Sequence, residues 1–181
     1  TILTSVMQFA MLPLQGLGQG AQPIIGYNYG AGNSSRVRHA YRLLLTCSVC
    51  YAMVFCLLIQ LFPGVFAAIF TSNAELLAFT KPMLRIYTLA LGLFGIQIAC
   101  QMTFTSLGNA KASIIVAVMR KFILLLPLIY IMPHLYTADL TKAVFMAEPV
   151  ADVLAVAFTG VLFFFEFRKA LRAMPKSEKK S

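Results

Sequence analysis

Charge is scarce in this chain. Only 12% of its 181 residues are Asp, Glu, Lys or Arg, while 60% are hydrophobic; a soluble domain carries about 25% charged residues. So few charges cannot wet a globular surface, which excludes a soluble domain and points to an integral membrane protein. Acids are the scarcer sign, six against fifteen Lys and Arg, for a formal net charge of +9. The basic residues fall between apolar runs and near the end of the chain, where they suit anionic lipid headgroups. A nucleic-acid partner is not expected, because it would need those residues on a wettable face. Tryptophan is absent, leaving 15 Phe and 7 Tyr as the aromatic surface. No Walker A sequence occurs, which argues against ATP-driven transport, and the lack of HExxH and GxSxG argues against an intramembrane enzyme. Cys47 and Cys50 form a CxxC with no second ligand pair and no thioredoxin-like setting, so with Cys56 and Cys100 they read as small hydrophobes. No charged region precedes the first apolar run, against a signal peptide, and a chain opening on Thr1 is expected to begin partway through a larger protein.

What is present is length. A bilayer core near 30 Å takes about 20 apolar residues of helix, and the sequence predicts an all-α membrane protein with about five spans, over residues 4–29, 37–62, 83–107, 113–132 and 143–167. Gly30 and Gly32 can end the first span in the left-handed conformation, with Asn33, Ser34 or Ser35 capping the second. Pro63-Gly64 breaks the second, Ser72-x-x-Glu75 reads as a capping box ahead of the third, and Gly108-Asn109 closes the third. Pro133 is expected to end the fourth, and Asp139 to cap the approach to the fifth. Residues 168–181 read as a basic tail. Arg36, Arg38 and Arg42, then Lys111, then the tail lie on alternate turns, so the positive-inside rule expects those turns and the C-terminus in the cytoplasm. Arg36 and Arg38 sit at a helix N-terminus, where the macrodipole disfavours cations, so topology and lipid contact must outweigh that penalty.

Several polar residues fall inside the spans. Gln15, Gln19 and Gln22 recur at i, i+4 and i+7 and share one helix face, either lining a cavity or gluing helices together. Gly16/Gly20 and Gly26/Gly30 are GxxxG pairs that permit close helix approach. Glu148 and Asp152 stand one turn apart in the last span, and an intramembrane carboxylate is a candidate proton, sodium or cationic-ligand contact, against solvation or a structural hydrogen bond. Arg120 and Lys121 are expected to snorkel toward headgroups, with a cytoplasmic gating contact as the sharper reading for Arg120. Tyr27, Tyr29, Phe94 and Phe104 can stack on planar cations.

The stretch Gly18–Gly32, GQGAQPIIGYNYGAG, closely resembles the second helix of the C-terminal lobe in multidrug and toxic compound extrusion (MATE) transporters of the bacterial drug-efflux branch. Phe62-Pro63 with Phe70-Thr71, FTSLGNAKA at residues 104–112, Arg120 with Pro127 and Pro133, and EPVAD at residues 148–152 resemble the family's later helices in order. The resemblance implies helices eight to twelve, most of one six-helix lobe, with the N-terminal lobe of the same protein as the absent partner. It implies a secondary-active antiporter in the plasma (inner) membrane that exports organic cations in exchange for H⁺ or Na⁺ by alternating access, with no cofactor and no metal site. On that reading Gln15, Gln19, Gln22, Tyr27 and Asn28 line the substrate pathway, Asp152 and Glu148 are coupling or polar contacts, and Arg120 and Arg36 are gate or lipid contacts. A lipid-linked glycan flippase of the same superfamily is the alternative, and would favour cations in the cavity to meet pyrophosphate. A non-transporting membrane scaffold or truncated remnant is the third reading.

Overall fold

The computed structural model describes residues 2–135 and 140–174, and among these it contains helices and turns but no strand. In order they are α1 (Ile2–Gly30), α2 (Ser34–Leu61), α3 (Pro63–Ala68), α4 (Ala74–Tyr87), α5 (Leu91–Ser106), α6 (Ala110–Val118), α7 (Leu126–Leu135) and α8 (Leu140–Ala173), with a π-helical stretch, Met119–Leu125, joining α6 to α7. Three of the described helical segments are long and apolar enough to cross a membrane, Ser34–Leu61, Ala110–Met132 and Met146–Ala173, or up to four if the bent pair α4–α5 counts as one span. The expectation of about five spans included α1. That helix has the length, at 29 residues, but its amides and glycines keep it out of this group.

Two turns share one construction. Gly32 and Gly108 have φ of +70° and +71°. At the first, the Asn33 amide donates to Asn28 O and the Gly32 amide to Tyr29 O; at the second, the Asn109 amide donates to Phe104 O and the Gly108 amide to Thr105 O. Both are Schellman closures with Gly in the left-handed position. The asparagine then caps the next helix, Asn33 Oδ1 accepting from the Arg36 amide at 3.2 Å and Asn109 Oδ1 from the Ala112 amide at 3.2 Å. Gly30 stays helical.

The third predicted span is not one helix. It comprises the end of α4 and all of α5, bent by 50° at Thr88–Ala90. No Pro or Gly occupies the break; α2 holds it from the side. Gln60 Nε2 donates to Arg85 O at 2.9 Å and Cys56 Sγ to Thr88 O at 3.5 Å, satisfying carbonyls at the helix end. Beyond the break α5 presses on α2: a Cβ on Gly95 would lie 2.5 Å from Ser48 O, and one on Gly92 2.6 Å from Met53 Sδ. The N-cap of α4 is Asn73, accepting from the Glu75 and Leu76 amides. Glu75 is therefore at N2, one position short of the reciprocal capping box expected from Ser72.

Pro133 does not end the fourth span, which continues to Leu135. Its irregularity comes earlier. Pro127 would drive its ring into the carbonyl four residues back, and that position, Ile123, falls in the π stretch, whose wider turn relieves the clash. Asp139 lies outside the described residues. The last helix runs to Ala173, so Arg168, Lys169 and Arg172 ride on helical turns.

The core is a column along α1, α2, α5 and α8. Val6, Ala10, Leu14, Ile59, Leu84 and Leu91 fill one end, Ile25, Val37, Leu44 and Ala99 the part toward the α1–α2 turn, and Phe104, Val116 and Phe163 the flank toward α6. The close contacts of α1 run through Gly18, whose Cβ would meet Met102 Cγ at 2.6 Å, and Gly26, 3.3 Å from Ser106 O. Gly16, Gly20 and Gly30 would meet nothing within 4 Å, so the Gly16/Gly20 pair does not mediate helix packing among the described residues.

Candidate functional site

Four elements meet around one arginine. Arg120 projects from the π stretch, Glu148 and Asp152 stand one turn apart on α8, Phe94 follows the break in α5, and α1 closes the far side. Asp152 Oδ1 accepts a 2.7 Å hydrogen bond from Arg120 Nε. Glu148 Oε1 lies 3.6 Å from Arg120 Nη2, and the guanidinium carbon sits 4.6 Å from the centroid of the Phe94 ring. The Asp152 side chain is 1% exposed, against 20% for Arg120 and 22% for Glu148. Its second oxygen, Oδ2, is buried without a hydrogen-bond partner among the described residues.

Removing an ion from water costs several kcal/mol even after the protein relaxes around it, and only a well-placed counter-charge offsets that penalty. Arg120 supplies that for Asp152, and the Phe94 ring face adds a cation–π contact. One guanidinium serves two carboxylates, with Lys121 as a further cation at the cavity edge; Asp152 Oδ2 is left as the acceptor that a proton or small cation can engage.

Arg120 lies ten residues into its helix from Ala110, about 15 Å at 1.5 Å per residue. The Asn109 turn is tied to the other end of α8 by Asn109 Nδ2 donating to Glu166 Oε2 at 2.9 Å. Arg120 therefore does not snorkel toward that turn, as its sequence position suggested; an inward partner holds it instead.

The cluster borders a cavity of about 620 Å³ whose α1 wall includes Thr4, Gln8 and Gln15, and whose other walls include Tyr87, Arg120, Lys121 and Glu148. Gln8 and Tyr87 were not among the residues singled out from sequence. Gln8 had a signal: it precedes Gln15 by seven residues and extends the same amide stripe. Tyr87 had none, because it reaches the cavity only through the break that follows it, where Thr88 Oγ1 donates back to Leu84 O and Gln60 and Cys56 of α2 donate to Arg85 O and Thr88 O.

The other predicted pathway residues do not join this cavity. Gln19 is exposed and Gln22 half-buried, farther along the stripe. Asn28 is thirteen residues from Gln15, about 140° around the axis at 100° per residue, so it belongs to the opposite face. There it is buried, donates to Ile24 O at 2.8 Å and borders a groove of about 1170 Å³ between α1 and α2, together with Gly16, Gly20, Arg36 and His39. Arg36 is exposed at the end of that groove, and Tyr27 is 77% exposed.

The MatE family model matches residues 1–131. No curated protein matches the sequence. Among solved structures, the MATE multidrug transporter DinF-BH, captured in a complex, is 33% identical with a TM-score of 0.81, over 92% of this chain and 36% of that one. An inward-facing multidrug resistance MATE transporter of the MOP superfamily is 18% identical with a TM-score of 0.86, over 96% of this chain and 40% of the other. An outward-facing one gives 18% and 0.86, over 96% and 39%. The chain thus spans well under half the length of these solved transporters. An all-helical fold, apolar helices of membrane-spanning length and a family match over most of the sequence agree: the chain belongs to the MatE family of membrane transporters.

Proposed function

We propose that the chain is one lobe of a secondary-active multidrug efflux antiporter, which exports organic cations in exchange for H⁺ or Na⁺ by alternating access. The observation that carries this reading is the Arg120–Asp152–Glu148 cluster, one cation against two carboxylates, beside a cavity walled by amides of α1. A buried carboxylate with one free oxygen is suited to take up the coupling ion. Gln8, Gln15 and Tyr87 offer hydrogen bonds and a ring face to an organic cation. Gln19 and Gln22 continue that wall toward a second lobe, while Asn28, Tyr27 and Arg36 serve the α1–α2 face. The equal fit to inward- and outward-facing transporters supports a lobe that rocks as a rigid unit. On this reading the protein sits in the inner membrane with the Gly32 and Gly108 turns and the C-terminus cytoplasmic.

The glycan-flippase alternative asks for spare cations in the cavity. Arg120 and Lys121 border it, but Glu148 borders it too and Asp152 is bonded to Arg120, so no positive excess remains for pyrophosphate. The experiment is export of a fluorescent organic cation by the full transporter carrying Asp152→Asn, at several external pH values and sodium concentrations. Asn keeps an acceptor for Arg120 and removes the charge. The expected result is normal protein level with export that falls and loses its dependence on the ion gradient. Export unchanged under every gradient would sink the coupling role of Asp152.

A further inference from the structure

The start of α2 and the end of α8 come together without their backbones closing on one another. Aromatic rings fill part of the gap. Tyr41 stacks on Phe163 with centroids 4.6 Å apart, and Phe163 stacks on Phe167 at 4.8 Å. Beside that floor is a cavity of about 360 Å³ into which three arginines converge, Arg38 and Arg42 from successive turns of α2 and Arg168 from α8. No acid is among the described residues that line it. Glu166, in the same turn of α8 as Arg168, is engaged by Asn109 at 2.9 Å and by Lys169 at 4.0 Å. Arg38 and Arg42 have no ion pair among the described residues, and Arg168 rests over the Phe164 ring at 4.2 Å.

Three like charges gathered in a groove repel one another unless an anion completes them. Guanidinium matches phosphate in geometry, offering two parallel N–H donors. The groove opens onto an apolar stripe of α8, Phe164, Val161, Leu154 and Val153, which are 51%, 60%, 47% and 48% exposed. That stripe lies on the same face at helical spacing. A phosphate with an apolar extension satisfies both halves. We infer that the groove between Arg38, Arg42 and Arg168 is a binding site for an anionic phospholipid, its phosphodiester among the arginines and an acyl chain along α8. Basic pockets between membrane helices hold such headgroups by this chemistry. A zwitterionic lipid brings its own cation to three uncompensated guanidiniums and is disfavoured.

The test is native mass spectrometry of the full chain in detergent, titrated separately with phosphatidylglycerol, phosphatidylcholine and inorganic phosphate. Phosphatidylglycerol is expected to be retained at least about fivefold better than phosphatidylcholine, the factor one basic contact near a membrane surface supplies. Arg42→Gln with Arg168→Gln together should weaken that retention roughly 25-fold on the same basis. Gly160→Leu keeps every charge and grows into a groove wall where a Cβ meets nothing within 4 Å. It should also reduce retention, by crowding, and it decides the matter if the arginine variant loses its helical circular dichroism. Equal retention of the two lipids, or variants that hold phosphatidylglycerol like the parent, would overturn the site. Displacement of the lipid by equimolar inorganic phosphate would make the ligand a free phosphate and overturn the lipid assignment.

Discussion

Replacing Arg120 by Gln removes the guanidinium that Asp152 faces. The two carboxylates at Arg120 are unequally dependent on it. Asp152 is 1% exposed and bonded at 2.7 Å, while Glu148 is 22% exposed with its nearest approach at 3.6 Å. A buried charge left without its partner costs about 3–5 kcal/mol, whereas a loose, partly solvated pair contributes about 0–1 kcal/mol. Arg120→Gln should therefore destabilise the chain by about 3–5 kcal/mol, nearly all of it from Asp152, and Glu148→Gln by about 1 kcal/mol or less. The double variant Arg120→Gln with Asp152→Asn removes both charges and should recover at least about 2 kcal/mol of the loss, within the range for residues in direct contact. The assay is a thermal melt in detergent for the parent, the three single variants Arg120→Gln, Asp152→Asn and Glu148→Gln, and the double. At roughly 2–4 °C per kcal/mol for a chain of this length, Arg120→Gln should melt about 10 °C below the parent. Strict additivity of the Arg120 and Asp152 changes would refute the reasoning, as would a Glu148→Gln loss equal to that of Arg120→Gln.

Gly95→Ala places a methyl group 2.5 Å from Ser48 O and should cost about 1–3 kcal/mol by forcing α5 off α2. Gly160→Ala, with nothing within 4 Å, should be neutral or stabilising by up to about 1 kcal/mol; equal melting of the two variants would refute the close approach. Gly32→Ala and Gly108→Ala each put a Cβ on a left-handed residue and should lose about 1–2 kcal/mol, with Asn tolerated better than Ala in both melts. Pro127→Ala lifts the clash that the π stretch accommodates. If the stretch then reverts to α-helix, Arg120 rotates away from Asp152, and a spin label at Val118 paired with one at Val153 should report the change; an unaltered distance distribution would mean that other contacts set the π turn.

Local chemistry made much of the fold legible. The Gly-Asn pairs at 32–33 and 108–109 fix two turns through the conformation of one residue and the side chain of the next, so sequence locates them closely. The break at 88–90 has neither Pro nor Gly; its local part is the Thr88 hydroxyl donating back to Leu84 O at 2.8 Å, and the rest, Gln60 and Cys56, arrives from α2. Pro133 looked like a stop, yet the helix continues past it to Leu135, and the π stretch lies ahead of Pro127; which proline perturbs the helix depends on the turn preceding each. At the site, Glu148 and Asp152 were readable as neighbours by spacing alone. Their bond to Arg120 spans 32 residues of sequence for Asp152 and needs the packing of α6 through α8 to exist. Asn28, grouped with Gln19 and Gln22 as pathway lining, is separated from Gln15 by helical phase and borders the α1–α2 groove instead of the cavity beside Arg120.

The paired Gly-Asn turns have a mechanical consequence. Each asparagine closes one helix with its backbone amide and opens the next with its side chain, so no slack separates α1 from α2 or α5 from α6. A joint without slack transmits rotation instead of absorbing it. Tilt imposed on α1 by whatever occupies the cavity beside Gln8 and Gln15 is handed to α2, and so to Arg38 and Arg42 at the lipid-facing groove. The cavity and the groove are then two ends of one lever, and a lipid bound at the arginines, as proposed above, would act as a load on that lever.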